Sequence, residues 1–214
     1  IIIPCFNALE YTKQCIDSVL LQTNINYELI LINNGSADGT KEYFKSLARS
    51  LKPNKKLQKV TIVQSKQNLG VAKALNLGIS KSIGRYVCYL NNDVIVTKDW
   101  LKKIVKAAKS DKQIGAVGTM FNAFENKDIV KRAEKDKKII DILAETISVK
   151  YIGKIKKAKT IHGLCMFIKK SVFKKVGLFN ENFYPCFGED IEFCERLKKY
   201  KYKLVDAADV FIFH

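Results

Sequence analysis

The stretch Tyr86 to Val96, "YVCYLNNDVIV", decides how this chain folds. Five residues, "YVCYL", run without polar alternation. Three polar side chains follow, Asn91, Asn92 and Asp93, and then the apolar character returns. A strand that is apolar on successive residues is buried on both faces, as in a parallel sheet covered by helices on both sides. In such open sheets, ligands bind outside the carboxyl ends of the strands. The polar triplet therefore marks a binding edge.

The same unit recurs outward from this point. Ile1 to Ile3, Tyr27 to Ile32 and Val60 to Val63 are strand candidates. Between them, Leu9, Thr12, Ile16, Val19 and Leu20 recur at helical spacing, Thr40 to Ala48 reads as a helix, and Val71 to Ser82 gives a helical face. Leu101, Ile104, Val105 and Ala108 form a further amphipathic helix. Strands alternating with helices predict an α/β fold with a mostly parallel sheet flanked by helices. Each strand empties into polar or small residues: Pro4-Cys5-Phe6-Asn7, Asn33-Asn34-Gly35-Ser36 with Asp38-Gly39, Gln67-Asn68-Leu69-Gly70, and Asn91-Asn92-Asp93. Together these form one polar rim.

The second half is less regular. Ile114 to Thr119 and Leu164 to Ile168 read as strands, and Ser171 as the N-cap of a short helix. Residues 121 to about 160 are rich in charge, with a helix expected only around Ile139 to Val149. "GLFNENFYPCFGED" reads as a loop into a helix from Asp190 to Tyr200. Lys203 to Val205 and Val210 to Phe213 read as two short strands.

The chain has 214 residues, 47% of them hydrophobic, which is enough for a packed core. It begins on a strand without a leading Met, so it is expected to be part of a longer protein. No segment reaches the roughly 18 apolar residues that span a bilayer. The net charge of +17 comes almost wholly from Lys; Arg occurs only at 49, 85, 132 and 196. Nucleic-acid readers favour Arg for paired contacts, so no nucleic-acid partner is expected. Attraction to phosphates or to an acidic membrane face is expected instead. Six cysteines without C-x-x-C spacing predict free thiols in a reducing compartment.

Three places carry chemistry. Asp93, at the end of a buried strand, suits a hard divalent cation beside phosphates; it could equally cap the next turn. Glu189 and Asp190 enter a helix, where acids complement the dipole, but they follow a loop with Phe179, Phe183, Tyr184 and Phe187 that suits the apolar face of a sugar. A carboxylate there can accept a hydroxyl proton. His214 follows a strand and can ligate a metal through a neutral ring nitrogen, or be plain polar surface. His162 reads as mostly structural or as facing the acceptor.

The runs "IIIPCFN", "LILINNGSADGT", "NLGVAKALNLGI", "GRYVCYLNND", "GLCMFIKKSVFKKVGLFNENF", "GEDIEFCERLKK" and "VFIFH" together resemble glycosyltransferase family 2, in its rhamnosyltransferase-like branch. The resemblance covers almost the whole chain and implies the GT-A fold in one domain. Residues 1–120 would be the nucleotide-sugar half and 121–214 the acceptor and catalytic half. It implies an inverting transfer of sugar from a nucleotide diphosphate, UDP or dTDP, to a glycan or lipid-linked acceptor hydroxyl in cell-surface polysaccharide synthesis. A Mn²⁺ or Mg²⁺ ion would sit on Asp93 and His214. The family's acidic metal-binding motif is Asn91-Asn92-Asp93 here, and only its last acid survives. Asp190 would be the general base beside Glu189. Pro4, Asn7, Asn33 and Asn34 would line the base and ribose pocket, with Asn68, Gly70 and Lys73 closing it and Asn91 and Asn92 touching ribose or base. A cytoplasmic location is expected, extending to the cytoplasmic face of a membrane. A sugar-nucleotide nucleotidyltransferase is the rival enzyme, but it would carry a basic Gly-rich loop after the first strand, and Cys5 to Glu10 has neither feature. A non-catalytic basic binding module would not need acids at the rim.

Overall fold

The computed structural model describes residues 1–122 and 127–214, the side chain of Lys127 excepted. In its first half, β1 (Ile2–Cys5), β2 (Tyr27–Asn34), β3 (Leu57–Ser65) and β4 (Tyr86–Leu90) alternate with α1 (Leu9–Gln22), α2 (Thr40–Ser50) and α3 (Val71–Lys81). The expected order of elements holds. β1 pairs in parallel with β2 and β4, and β2 with β3. Successive strand residues feed two cores, as a doubly covered sheet requires. Ile3, Leu31, Cys88 and Leu90 pack on one face with Trp100. Ile2, Ile30, Ile32, Val87 and Tyr89 pack on the other with Leu75 and Phe193.

The second half departs from a purely parallel sheet. Its elements are β5 (Ile95–Val96), α4 (Trp100–Lys109), β6 (Ile114–Phe121), α5 (Lys127–Lys135), α6 (Lys137–Lys150), β7 (Ile155–Lys157), β8 (Cys165–Lys169), α7 (Phe173–Val176), α8 (Glu189–Lys199) and β9 (Lys203–Phe213). The sheet order is β3-β2-β1-β4-β8-β6-β9-β5, with β7 on β9. β8 runs antiparallel between β4 and β6. Because it runs backwards, its first residues lie beside the last residues of β4.

Several expectations need correction. The two short closing strands are one strand, β9. A register shift opposite Thr119 and Met120 absorbs the polar break at Asp209. Ser171 lies inside a short 3-10 turn, Lys170–Val172, that leads into α7, and its side chain caps neither element. In the charge-rich zone from 121 to 160, the helix expected around Ile139 to Val149 is α6, and α5 and β7 were not foreseen. Ala133 and Ile140 from its helices pack on Phe211 and Phe213 of β9. Residues 123–126 of that zone lie outside those described. The cysteines are free, and all but Cys186 are buried. No helix among the described residues is long and apolar enough to cross a membrane.

The close fit of α3 on the sheet depends on Gly78. A Cβ there would lie 2.5 Å from Cγ2 of Ile2. Ile2 is stiff and fully enclosed, so it cannot yield cheaply. Gly78→Ala is expected to destabilise the protein by about 1–3 kcal/mol, read as a lower urea midpoint at unchanged slope.

Candidate active site

The carboxyl ends of β1, β2 and β4 meet on one edge, and hydrogen bonds knit them together. Asn7 and Ala8 hold left-handed backbone. The Asn7 N–H donates to Ser36 Oγ at 2.9 Å, and the Asn7 side-chain oxygen accepts from Ala37 N–H at 3.0 Å. Asp38 accepts from Leu9 N–H at 2.8 Å and from the Thr40 hydroxyl at 2.6 Å, so one carboxylate secures the starts of α1 and α2. Burial alone would push the Asp38 carboxyl up, but hydrogen bonds from Thr40, Leu9 and its own backbone bring it below its usual range. Sequence reading placed Asp38 on the rim without giving it a task. Its signal was the Asp-Gly-Thr run at a helix start.

The rim amides are already engaged within the protein. Asn33 donates to Gln64 Oε1 at 2.8 Å and accepts from Ser36 N–H at 2.9 Å. Asn34 donates to Asn68 Oδ1 at 2.9 Å and to Gly70 O at 3.4 Å, and accepts from Leu69 N–H at 2.9 Å. These amides fasten the loop after β3. Pro4 is buried within β1, opposite Ile32. Asn92 donates to Thr12 Oγ1 at 2.8 Å. Asn68 and Lys73 share an open cleft with Tyr184, whose ring approaches Gly70.

The loop of residues 177–188 arches over this edge. Arg196 holds its start through the carbonyls of Val176 and Leu178, at 2.6 and 2.7 Å. Asn76 holds Phe179 through both its backbone groups, and Val71 N–H donates to Pro185 O at 2.8 Å. Phe179, expected on the sugar side, is instead core: it stacks among Tyr89, Phe173 and Phe193. Tyr184 and Phe187 are exposed at 63% and 86%, so they remain available to a ligand.

Tyr89 lies beside Asn91 and Gly163, and Gly163 in turn meets Asp190. The Tyr89 hydroxyl donates to Asn91 Oδ1 at 2.8 Å. Its acidity is suppressed by burial first, then by the charges of Glu189, Asp190 and Asp93. One side chain therefore senses all three acids. The Asp190 Oδ2 accepts from Gly163 N–H at 2.8 Å, and Asn91 N–H donates to Leu164 O at 3.0 Å. A Cβ on Gly163 would lie 3.0 Å from the Tyr89 ring and 3.3 Å from Asp190 Oδ2. Glu189 is 5% exposed, and its Oε2 has no hydrogen-bond partner. Burial, and then Asp190, push its carboxyl above the usual range.

Asp93 and His214 face each other across the β5–β9 end, with Oδ1 and Nε2 3.3 Å apart. Asn122 braces His214 by accepting its N–H at 2.7 Å and donating to its carbonyl at 2.8 Å. A cleft of about 480 Å³ opens beside the pair, with Tyr11, Gln14 and Lys137 on its walls. No group of three or more His, Cys, Asp or Glu side chains gathers as a metal cage among the described residues. A carboxylate and an imidazole at this spacing fit a cation that takes its other ligands from phosphate oxygens. Without metal, the hydrogen bond to Asp93 raises the His214 pKa, and the same bond lowers that of Asp93. A raised histidine pKa adds stability that is complete below the unfolded value of about 6.5 and fades as pH rises through the folded value. The lowered Asp93 pKa adds stability that is lost only as pH falls through its folded value. In EDTA, the stability margin of wild type over His214→Gln is therefore expected to be larger at pH 6 than at pH 9, measured as the difference in urea midpoints.

Comparison with known proteins supports the same reading. The family profile described as "Glycosyl transferase family 2" matches residues 1–177. An uncharacterized glycosyltransferase of Rickettsia bellii is 30% identical over 185 residues, covering 86% of this chain and 24% of the relative. The chondroitin synthase of Pasteurella multocida is 32% identical over 119 residues, covering 56% of this chain and 12% of that protein. The chain thus spans a small part of these relatives. Among solved structures, the mannosyltransferase PcManGT of Pyrobaculum calidifontis, in complex with GDP-Man and Mn²⁺, superposes with a TM-score of 0.73 at 19% identity, covering all of this chain and 55% of that one. GalNAc-T7 with UDP, GalNAc and Mn²⁺ gives 0.76 at 16% identity, covering all of this chain and 43% of that one. These two likenesses show the GT-A fold. With the profile spanning most of its length, the chain belongs to glycosyltransferase family 2.

Proposed function

We propose that this chain is the catalytic domain of an inverting glycosyltransferase that moves a sugar from a UDP or dTDP donor to an acceptor hydroxyl. The observation that carries the reading is the joining of the β4 end to the Asp190 segment, with Asn91 N–H bound to Leu164 O, Asp190 fixed by Gly163 N–H, and Asp93 two residues beyond Asn91. In this reading residues 1–120 take the donor and residues 121–214 the acceptor. Asn7, Asn68, Gly70, Lys73, Asn91 and Asn92 line the donor side. Pro4, Asn33 and Asn34 shape it from beneath, since the two amides are held by protein partners.

Asp190 is the base in this scheme. Its Oδ2 accepts one backbone N–H and its Oδ1 accepts the N–H of Ile191 at 2.8 Å. An ionised carboxylate has about four lone-pair sites, so room remains for a hydroxyl. The acceptor oxygen attacks the anomeric carbon and gives its proton to Asp190. The bond from that carbon to the diphosphate breaks, and the nucleoside diphosphate leaves. The buried Glu189 keeps the pocket wall rigid. Asp93 and His214 would hold the divalent cation, Mn²⁺ or Mg²⁺, which when bound neutralises charge on the departing diphosphate. Tyr184 and Phe187 offer faces to a sugar ring.

The similarity to chondroitin synthase supports polymer synthesis, on a glycan or lipid-linked acceptor, as the setting. A cytoplasmic site of action, reaching to the inner membrane face through the Lys-rich surface, fits the charge of +17.

Two variants test the assignments. Asp190→Asn should lower transfer by ~100-fold or more while leaving UDP affinity within twofold, measured by product assay and calorimetry. Asp93→Ala should abolish the rise in melting temperature that UDP with Mn²⁺ gives to the wild type. A preserved rise would put the cation elsewhere.

A further inference from the structure

A second, smaller cavity of about 110 Å³ lies behind the segment that holds Asp190. Its polar lining is Thr119, Thr160, His162 and Asp206, with Phe121 and Leu164 as apolar walls. It shares that segment with the site described above. Gly163 N–H holds Asp190, Leu164 O holds Asn91, and Ile161 N–H is bound to the Cys194 sulfur of α8 at 3.3 Å. His162, which the sequence suggested was structural or acceptor-facing, is the residue between those anchors.

Two of the cavity's polar side chains, Thr119 and Asp206, are poorly satisfied within the protein. Thr119 is only 8% exposed, and its hydroxyl makes no well-formed hydrogen bond, with the Cys165 thiol as its polar neighbour. No hydrogen bond reaches the Asp206 side chain among the described residues. His162 and Lys156 are its basic neighbours, and Lys156 lies 4.4 Å above the Tyr151 ring. Burial pushes the Asp206 carboxyl up to about 6 against the pull of these two side chains. Gly118 makes the room for it, because a Cβ there would lie 2.5 Å from Asp206 Oδ1. A buried hydroxyl and a half-buried carboxylate without firm partners are costly to keep, and a ligand rich in hydroxyls, entering past the exposed His162, would satisfy them. A carboxylate accepts from two hydroxyls, while an imidazole and a threonine hydroxyl donate or accept. Phe121, 5.2 Å from the His162 ring, adds an apolar wall. The volume suits one hydroxyl-bearing arm of a sugar, or a few waters at roughly 30 Å³ each.

We propose that Asp206, Thr119 and His162 form a subsite that grips a hydroxyl-bearing edge of the acceptor sugar and so selects the acceptor. This rests on the glycosyltransfer reading above for the word acceptor; the sugar contact itself does not need a donor. The test is saturation-transfer NMR on the donor-free protein, with a panel of free monosaccharides: glucose, galactose, mannose, rhamnose and N-acetylglucosamine. At least one should give a signal that falls at least tenfold in Asp206→Ala and in Thr119→Val. The second variant keeps the side chain's shape and removes only the hydroxyl, so it decides the matter if Asp206→Ala fails to fold by circular dichroism. Absence of any sugar signal, meaning a water-filled pocket only, would overturn the subsite. So would a signal that survives Thr119→Val together with every folded Asp206 variant. Failure of UDP to bind would count against the donor reading alone, because no nucleotide is present in this experiment.

Discussion

The pairing of β8 against β4 is the constraint from which the site follows. Leu90 lies opposite Cys165 and Tyr86 opposite Lys169, so the strands run in opposite directions. That reversal brings residues 162–164, from far along the chain, to the place where the donor-side strand ends. Two backbone bonds then do the joining: Gly163 N–H to Asp190 and Asn91 N–H to Leu164 O. An all-parallel sheet would have sent the start of β8 to the opposite edge, away from Asp93.

This arrangement explains the run of polar residues after "YVCYL". The strand halts because its carboxyl end turns polar groups to three separate partners. Its side chains divide by direction: Asn91 turns to Tyr89, Asn92 to Thr12 on α1, and Asp93 to His214. The apolar residues resume because Ile95 and Val96 pair with β9 and carry His214 to its place. Much of the rim serves as scaffold. Asn33, Asn34 and Asp38 direct their hydrogen bonds to loops, so this edge is shaped largely by backbone and by the residues those loops present.

The first half was legible in the sequence because its strands are short apolar runs separated by helical periods. Each local signal there agrees with the sheet it joins. The second half was less legible for physical reasons. The direction of β8 is a property of distant pairing, and "LCMFI" reads alike either way. β9 was read as two strands because Asp206 and Asp209 interrupt it, yet Asp209 has a structural setting, accepting Gly153 N–H at 2.9 Å, and Asp206 lines a cavity. α5 was hidden by its charged surface, since few of its residues reach a core. Among candidate site residues, Asp93, Asp190 and His214 were singled out from strand ends and family resemblance, and the structure sets Asp93 beside His214 and Asp190 on Gly163 N–H. Phe179 was misjudged because an aromatic loop residue gives no sign of which ring turns inward. Tyr89, Gly163 and Asp206 were missed because their importance lies in what they face.

The central claim is that the cation pair and the proposed base look into one cleft. Paramagnetic broadening tests it most directly: Mn²⁺ and UDP are added to isotope-labelled protein, and the backbone amide signals are followed. Signals of residues 92–94 and 214 should vanish together with those of Gly163 and Asp190. Sharp, unmoved signals from Gly163 and Asp190 while the first group disappears would contradict the account.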